Sequence, residues 1–450
     1  MVQKATSLKN QITKIVFAAA VLFAINFAAG AQSGEALIDK LVQKGILTET
    51  EAKELRQESD IGFGKTFALK TGMSDLLSQV KFGGYIQANA EFGDVSAFEG
   101  RFSGGPNAIN DRFRLRRARI NVTGVFLDHF DFKLEGDFSQ TDGLGKDKHG
   151  DTRSAFSASD VFLNWNQFPE ANIKFGQYKA PFGIEQTTLD TILFTAERSL
   201  VTGALTPERQ IGVQLWGKPL AHLWPEQKEL LRYAFGVFNG NNRNITANDN
   251  GGFMYAARVE LIPWAGKLFE QDSKLKIGFD GLYSRDAAGV NLSQTGNLRL
   301  QSDGSLKSFE DHNDDIRRGW AANISFNLGP FDLVAEYLEE RIRPAGTSTL
   351  ATSGFGTTNA FVANGYYVLG SYFLPGKKFQ LVTKWESLNP GQAAHDDIQS
   401  VTGGLNYYIR GDNLKLMLNY IHTWSDFRRH NSGFGDDQFD EVLVRAQIMF

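Results

Sequence analysis

Five arginines, Arg112, Arg114, Arg116, Arg117 and Arg119, crowd one short stretch of the chain. A guanidinium is always charged and holds its donors in a rigid fork that fits phosphate or carboxylate oxygens, so such a group suits the holding or passage of anions. Three further cations, Lys179, Arg198 and Arg209, border or lie within a segment of mixed polarity, residues 184–210. Rings of one charge are how pores choose ions by sign. The competing role is bracing. Glu135, Asp137, Asp160, Asp280, Glu336 and Glu386 are candidate partners for the first group, and Glu185, Glu197 and Glu208 for the second.

Catalysis needs a nucleophile, a base and an orienting group brought together. The seven histidines, His129, His149, His222, His312, His395, His422 and His430, fall on turns, loops and strand ends. No glycine-serine elbow, paired zinc histidines or phosphate-binding loop accompanies them. Cysteine is absent, which removes thiolate chemistry and disulfides. No catalytic residue, cofactor or metal is therefore expected. With 47 basic and 51 acidic side chains the net charge is −4, so nucleic acid is not an expected partner and any cationic site must be local.

The arginines sit in a stretch of period two. In the segment starting at Val80, Val80, Phe82, Ile86, Ala88 and Phe92 share one face and Lys81, Tyr85, Gln87, Asn89 and Glu91 the other. The alternation returns at residues 130–139, 275–284, 320–328 and 379–386. Short links at Asp128, Pro169, Gly329 and Gly376 alternate with long polar ones at residues 141–159, 287–316 and 344–364, giving about sixteen strands. On the downstream phase Ala118, Ile120 and Val122 face outward, which puts Arg117 and Arg119 inward. Arg116 then has the wrong parity, and needs the rim, a bulge or a subunit contact to shelter it. Lys179 also falls on outward parity, with Gly176 offering room for a bulge.

A β-sandwich would alternate too, with its apolar face inward; a membrane barrel turns that face to lipid. Aromatic residues near strand ends (Trp264, Trp320, Trp385, Tyr407, Trp424) and a chain that finishes inside a strand favour the barrel. Glycine (46) far exceeds proline (11), and no apolar run is long enough for a spanning helix. Upstream, Lys4, Lys9 and Lys14 precede an apolar core and a small-residue site at Ala29 to Ala31, the pattern of a signal peptide over residues 1–31 with the mature chain starting at Gln32. Residues 35–58 have helical periodicity, and a short periplasmic helical hairpin with its linker is expected over residues 32–79. The fold class is thus all-β: an outer-membrane antiparallel barrel over residues 80–450.

The segments Phe113 to Arg119, Asp131 to Ser139, Ile173 to Gly183, Glu197 to Leu200 and Pro207 to Gly212 resemble the phosphate-selective porin O and P family. That resemblance implies a 16-stranded homotrimer embedded in outer-membrane lipid, with a third loop, residues 184–210, folded into the pore. It also implies that basic side chains pass small inorganic anions, with Arg117, Arg119, Lys179, Arg198 and Arg209 as the candidates. A general or other-solute porin remains the alternative, ahead of an adhesin or a barrel hydrolase.

Overall fold

The computed structural model describes residues 77–102, 108–141, 154–246, 248, 250–269, 271–286, 297–309, 314–344 and 360–450. The signal peptide, the helical hairpin and most of the three long polar links lie outside the described residues.

The first half of the chain forms β1 (Leu77–Gly93), β2 (Arg112–Phe126), β3 (Phe130–Thr141), β4 (Ser154–Phe168), β5 (Ala171–Lys179), β6 (Arg209–Gly217), β7 (Leu231–Phe238), β8 (Met254–Leu268) and β9 (Gln271–Asp286). After the short pair β10 (Asn297–Leu300) and β11 (Leu306–Ser308) come β12 (Asp315–Leu328), β13 (Phe331–Arg343), β14 (Phe361–Phe373), β15 (Phe379–Asn389), β16 (Ile398–Tyr408), β17 (Leu414–Ser425) and β18 (Gln438–Met449). All but β10 and β11 join one closed barrel, sixteen strands in the order β1-β18-β17-β16-β15-β14-β13-β12-β9-β8-β7-β6-β5-β4-β3-β2. The final strand pairs with the first from Tyr85↔Met449 to Gly93↔Glu441, so no edge is left open. Closure lets the first and last strands satisfy each other's backbone groups, as lipid requires.

The direction of the two faces separates the membrane barrel from a sandwich. Phe113 is 80% exposed, Phe175 62% and Phe279 56%, all pointing outward, whereas Arg317, Arg445 and Glu386 on the inner face are only about 1% exposed. A soluble sheet would reverse this. The short turns stand where the pattern put them, between Phe126 and Phe130, Phe168 and Ala171, and Leu328 and Phe331. At the opposite, long-loop end an apolar cluster joins the connections to one another. Phe102 stacks on Phe439 with ring centroids 4.5 Å apart, and Leu298, Leu300, Leu306 and Phe309 are buried with them. Fully burying each such side chain is worth roughly 1.5–3 kcal/mol, enough to fix the loop end as a platform.

Candidate functional site

The arginine-rich strand carries a one-residue irregularity. Gln87 pairs with Arg117 and the next residue, Ala88, pairs with Leu115, leaving Arg116 as an extra residue in β2. This is a β-bulge, and it resolves the parity conflict. Beyond it Phe113 and Leu115 point to lipid while Arg112 and Arg114 take the inner parity, and Arg116 turns inward to place Nε 2.8 Å from Glu197. All five arginines therefore face the lumen side.

Lys179 needs no bulge. Gly176 stays in register with Gly212, and Lys179 is the last residue of β5, where the chain leaves the wall and turns inward. Gly183 makes that turn at φ 79°, and a Cβ there would stand 2.8 Å from Thr206 Cγ2, so only glycine fits without strain. The segment continues through two short helices, α1 (Ile184–Thr187) and α2 (Leu200–Leu205), and rejoins the wall at Arg209. Ser199 caps α2, its side-chain oxygen accepting from Thr202 N–H at 3.0 Å.

On the β2 side the loop presents carboxylates. Asp190 lies 2.6 Å from Arg198, 2.8 Å from Arg119, 3.3 Å from Arg117 and 3.6 Å from Lys179. Burial alone would raise its carboxyl, but those four cations outweigh burial and hold it well below the usual carboxylate range. Glu197 is held low in the same way, buried between Arg116 and Arg445. Arg119 is shared further with Asp137 at 2.7 Å and Glu135 at 3.5 Å. Arg112 pairs with Glu91 at 2.6 Å, whereas Arg114, between Arg112 and Arg116, makes no ion pair with any described residue.

Across the lumen the polarity of the contacts inverts. Here the wall supplies carboxylates and the loop supplies backbone N–H groups: Gly183 donates to Asp280 at 2.9 Å, Ile184 to Glu336 at 2.6 Å and Leu200 to Glu386 at 2.6 Å. β13, which carries Glu336, lies seven strands from β2 in the ring of sixteen, so the loop reaches from one side of the lumen to the other. Between these anchor points Lys415 donates to Thr191 O at 2.7 Å, Asn406 to Phe194 O at 2.8 Å and Ala196 N–H to Asn419 at 2.7 Å.

The structure thus brings Arg117, Arg119, Lys179 and Arg198 together around one carboxylate. It separates Arg209, which pairs with Asp160 at 2.6 Å and Glu208 at 3.0 Å. The partner of Arg198 is Asp190, not the side chain of Glu185, Glu197 or Glu208. Asp190 was missing from the candidates although it is the sole acid in the run Thr187 to Thr195. Arg445 was missed too; its inner parity between Val444 and Ala446 was legible, its reach to Glu197 was not. A third omission is Lys174, whose ammonium lies 4.7 Å from the ring centre of Phe162, 5.2 Å from Tyr178 and 5.6 Å from Trp216, a cation over three inner-wall aromatic faces.

The model of the family described as phosphate-selective porin O and P matches residues 87–450. The chain belongs to this family. Porin O of Pseudomonas aeruginosa is 22% identical to this porin over 87% of the chain and 93% of its own length. An uncharacterized protein of Aquifex aeolicus is 23% identical over 98% and 99% respectively. Among solved folds, a loop-deletion mutant of the Vibrio cholerae outer-membrane protein OmpT superimposes with TM-score 0.51 at 13% identity, covering 82% of the porin and 99% of OmpT. The trimer form of in-vitro folded OmpT gives 0.50 at 12%, with the same coverage. The porin is an outer-membrane channel of a Gram-negative bacterium, and its family and barrel point to passage of solutes rather than to an enzyme.

Proposed function

We propose that the porin passes small inorganic anions, oxyanions of the phosphate class among them, and that the loop of residues 184–210 sets its sign preference. The observation that carries this is Arg114, an inward guanidinium with no carboxylate within ion-pair distance among the described residues, in line with four more arginines on β2. The carboxylates that would oppose it are covered. Asp280, Glu336 and Glu386 are buried beneath the loop, and each accepts from one of the loop's backbone N–H groups while its other contacts go to wall side chains such as Arg258, Tyr367 and Ser400. Arg117, Arg119, Lys179 and Arg198 hold the loop through Asp190 and add positive potential beside the path, while Arg209 braces its exit. A fixed positive potential enriches anions and fades as salt shortens the screening length. Assembly as a homotrimer in outer-membrane lipid completes the proposal, with the family resemblance and the outward apolar face in support; light scattering of the detergent-extracted porin measures it.

Reversal potential across a salt gradient in a planar bilayer tests the sign. The wild-type porin should prefer anions, and Arg114→Gln should lower the anion over cation permeability ratio without loss of folded barrel. A wild-type channel that prefers cations would overturn the proposal.

A further inference from the structure

At the long-loop end, away from the lumen loop, three side chains with metal-binding donors meet. His395 lies in the connection from β15 to β16, and Asp426 and His430 lie one turn apart on α3 (Asp426–His430), directly after β17. The barrel register makes them neighbours: Ile398 pairs with Ser425, so the residues just beyond that pair face each other. One donor atom from each of the three lies within 4.8 Å of the other two.

The spacing is that of ligands around an ion rather than of hydrogen-bonded partners. His395 Nδ1 stands 3.4 Å from Asp426 Oδ2. Charge-assisted hydrogen bonds close to ~2.7–2.9 Å. By contrast, donors held ~2.1 Å from a tetrahedral ion are ~3.4 Å from one another. The two imidazoles are stacked at 3.9 Å and 14°, so one ring turns when both lone pairs meet one ion. His430 Nδ1 lies 2.9 Å from the Asp426 carbonyl oxygen, a bond that leaves Nε2 as the lone-pair atom and fixes the ring as partners outside a metal shell commonly do.

The frame around them is built. Asp396 accepts from Gln392 N–H at 2.7 Å and Ala393 N–H at 2.9 Å, which shapes the turn that holds His395 at φ 59°. Asp426 N–H donates to Asp397 O at 3.0 Å, tying α3 to that turn. Phe427 and Arg428 anchor α3 from below, both buried, with Arg428 Nε donating to Asp303 O at 2.7 Å. The ligand side chains themselves are open to solvent.

We propose that His395, Asp426 and His430 form a site for a divalent first-row transition ion of the zinc or copper class at the mouth of the barrel. Two imidazoles and one carboxylate are a donor set for these ions rather than for calcium or magnesium, and three protein ligands leave a position for water. The ion would staple the β15–β16 connection to α3.

Calorimetric titration of the untagged, chelator-treated, full-length porin in detergent with zinc chloride alone tests it. One equivalent per chain should bind, and His395→Ala with His430→Ala should weaken that binding roughly tenfold or more. Asp426→Asn should weaken it as well, and heat-modifiable gel mobility should show that each variant still forms its barrel. Absence of stoichiometric zinc binding in the wild type would overturn the site. So would unchanged affinity in the folded double variant.

Discussion

On β2 the wall offers guanidinium groups and the loop answers with side-chain carboxylates, Asp190 and Glu197; on β9, β13 and β15 the wall offers carboxylates and the loop answers with backbone N–H groups. The two attachments depend on different things. The first needs particular residues in the loop, because only an acid can sit among four cations. The second needs only the path of the loop backbone, since every residue but proline has an N–H to give. One loop can therefore leave a positive surplus on one side while it covers the negative groups on the other.

The largest effect should come from removing the hub. Asp190→Ala leaves Arg117, Arg119, Lys179 and Arg198 buried together without their shared counter-charge, and breaking a buried pair in this way costs about 3–5 kcal/mol. Heat-modifiability and denaturant midpoints should drop, and single-channel conductance should change as the loop loses its β2 attachment. Arg117→Gln with Arg119→Gln should also release that attachment, moving conductance and selectivity together. If the double variant alters selectivity alone, the bracing role of these arginines is wrong.

Next comes the other wall. Glu336→Ala leaves the Ile184 N–H without its acceptor, a loss of about 1–3 kcal/mol, whereas Glu336→Gln keeps an acceptor oxygen and should cost less. Neither should reduce anion preference, because the deleted charge is negative. A fall in that preference on Glu336→Gln would break the contrast between the walls.

Arg114→Gln should be the mildest for stability, within about 0.5 kcal/mol, because no ion pair is lost. Its effect belongs to selectivity. Acid gives a final comparison. The Asp190 carboxyl is held below its unfolded value, so its contribution to stability is fully present above the ordinary carboxylate range and is lost only as pH falls through the depressed value. Loop docking should therefore survive titration from neutral pH down to about 4, and fail only in stronger acid; conductance recorded along that series reads it out.

Much of the barrel was legible because period-two alternation and turn residues are local signals. Strand positions, turns at Asp128 and Pro169, and the inward parity of Arg117 and Arg119 all rest on neighbours in sequence. Pairing was not legible. Asp190 meets Arg119 across a stretch of chain that no period spans, and Arg445 reaches Glu197 only after the last strand closes on the first. Arg116 shows the boundary between the two: its conflict of parity was visible in the residues alone, but only the ladder opposite, Gln87 and Ala88, shows that a bulge resolves it.

That bulge reverses the usual ranking of deletion and substitution. In a regular membrane strand, dropping one codon flips every later side chain between lipid and lumen. Dropping the codon for Arg116 would instead straighten β2, because Leu115 and Arg117 already hold opposite faces and would simply become adjacent. Arg112 and Arg114 would keep their inward aim, and Phe113 its place in lipid. Dropping the codon for Arg114, two positions earlier, would turn Phe113 inward and Arg112 into hydrocarbon. Position 116 is therefore where this wall can gain or lose a guanidinium by changing length, without rephasing the strand.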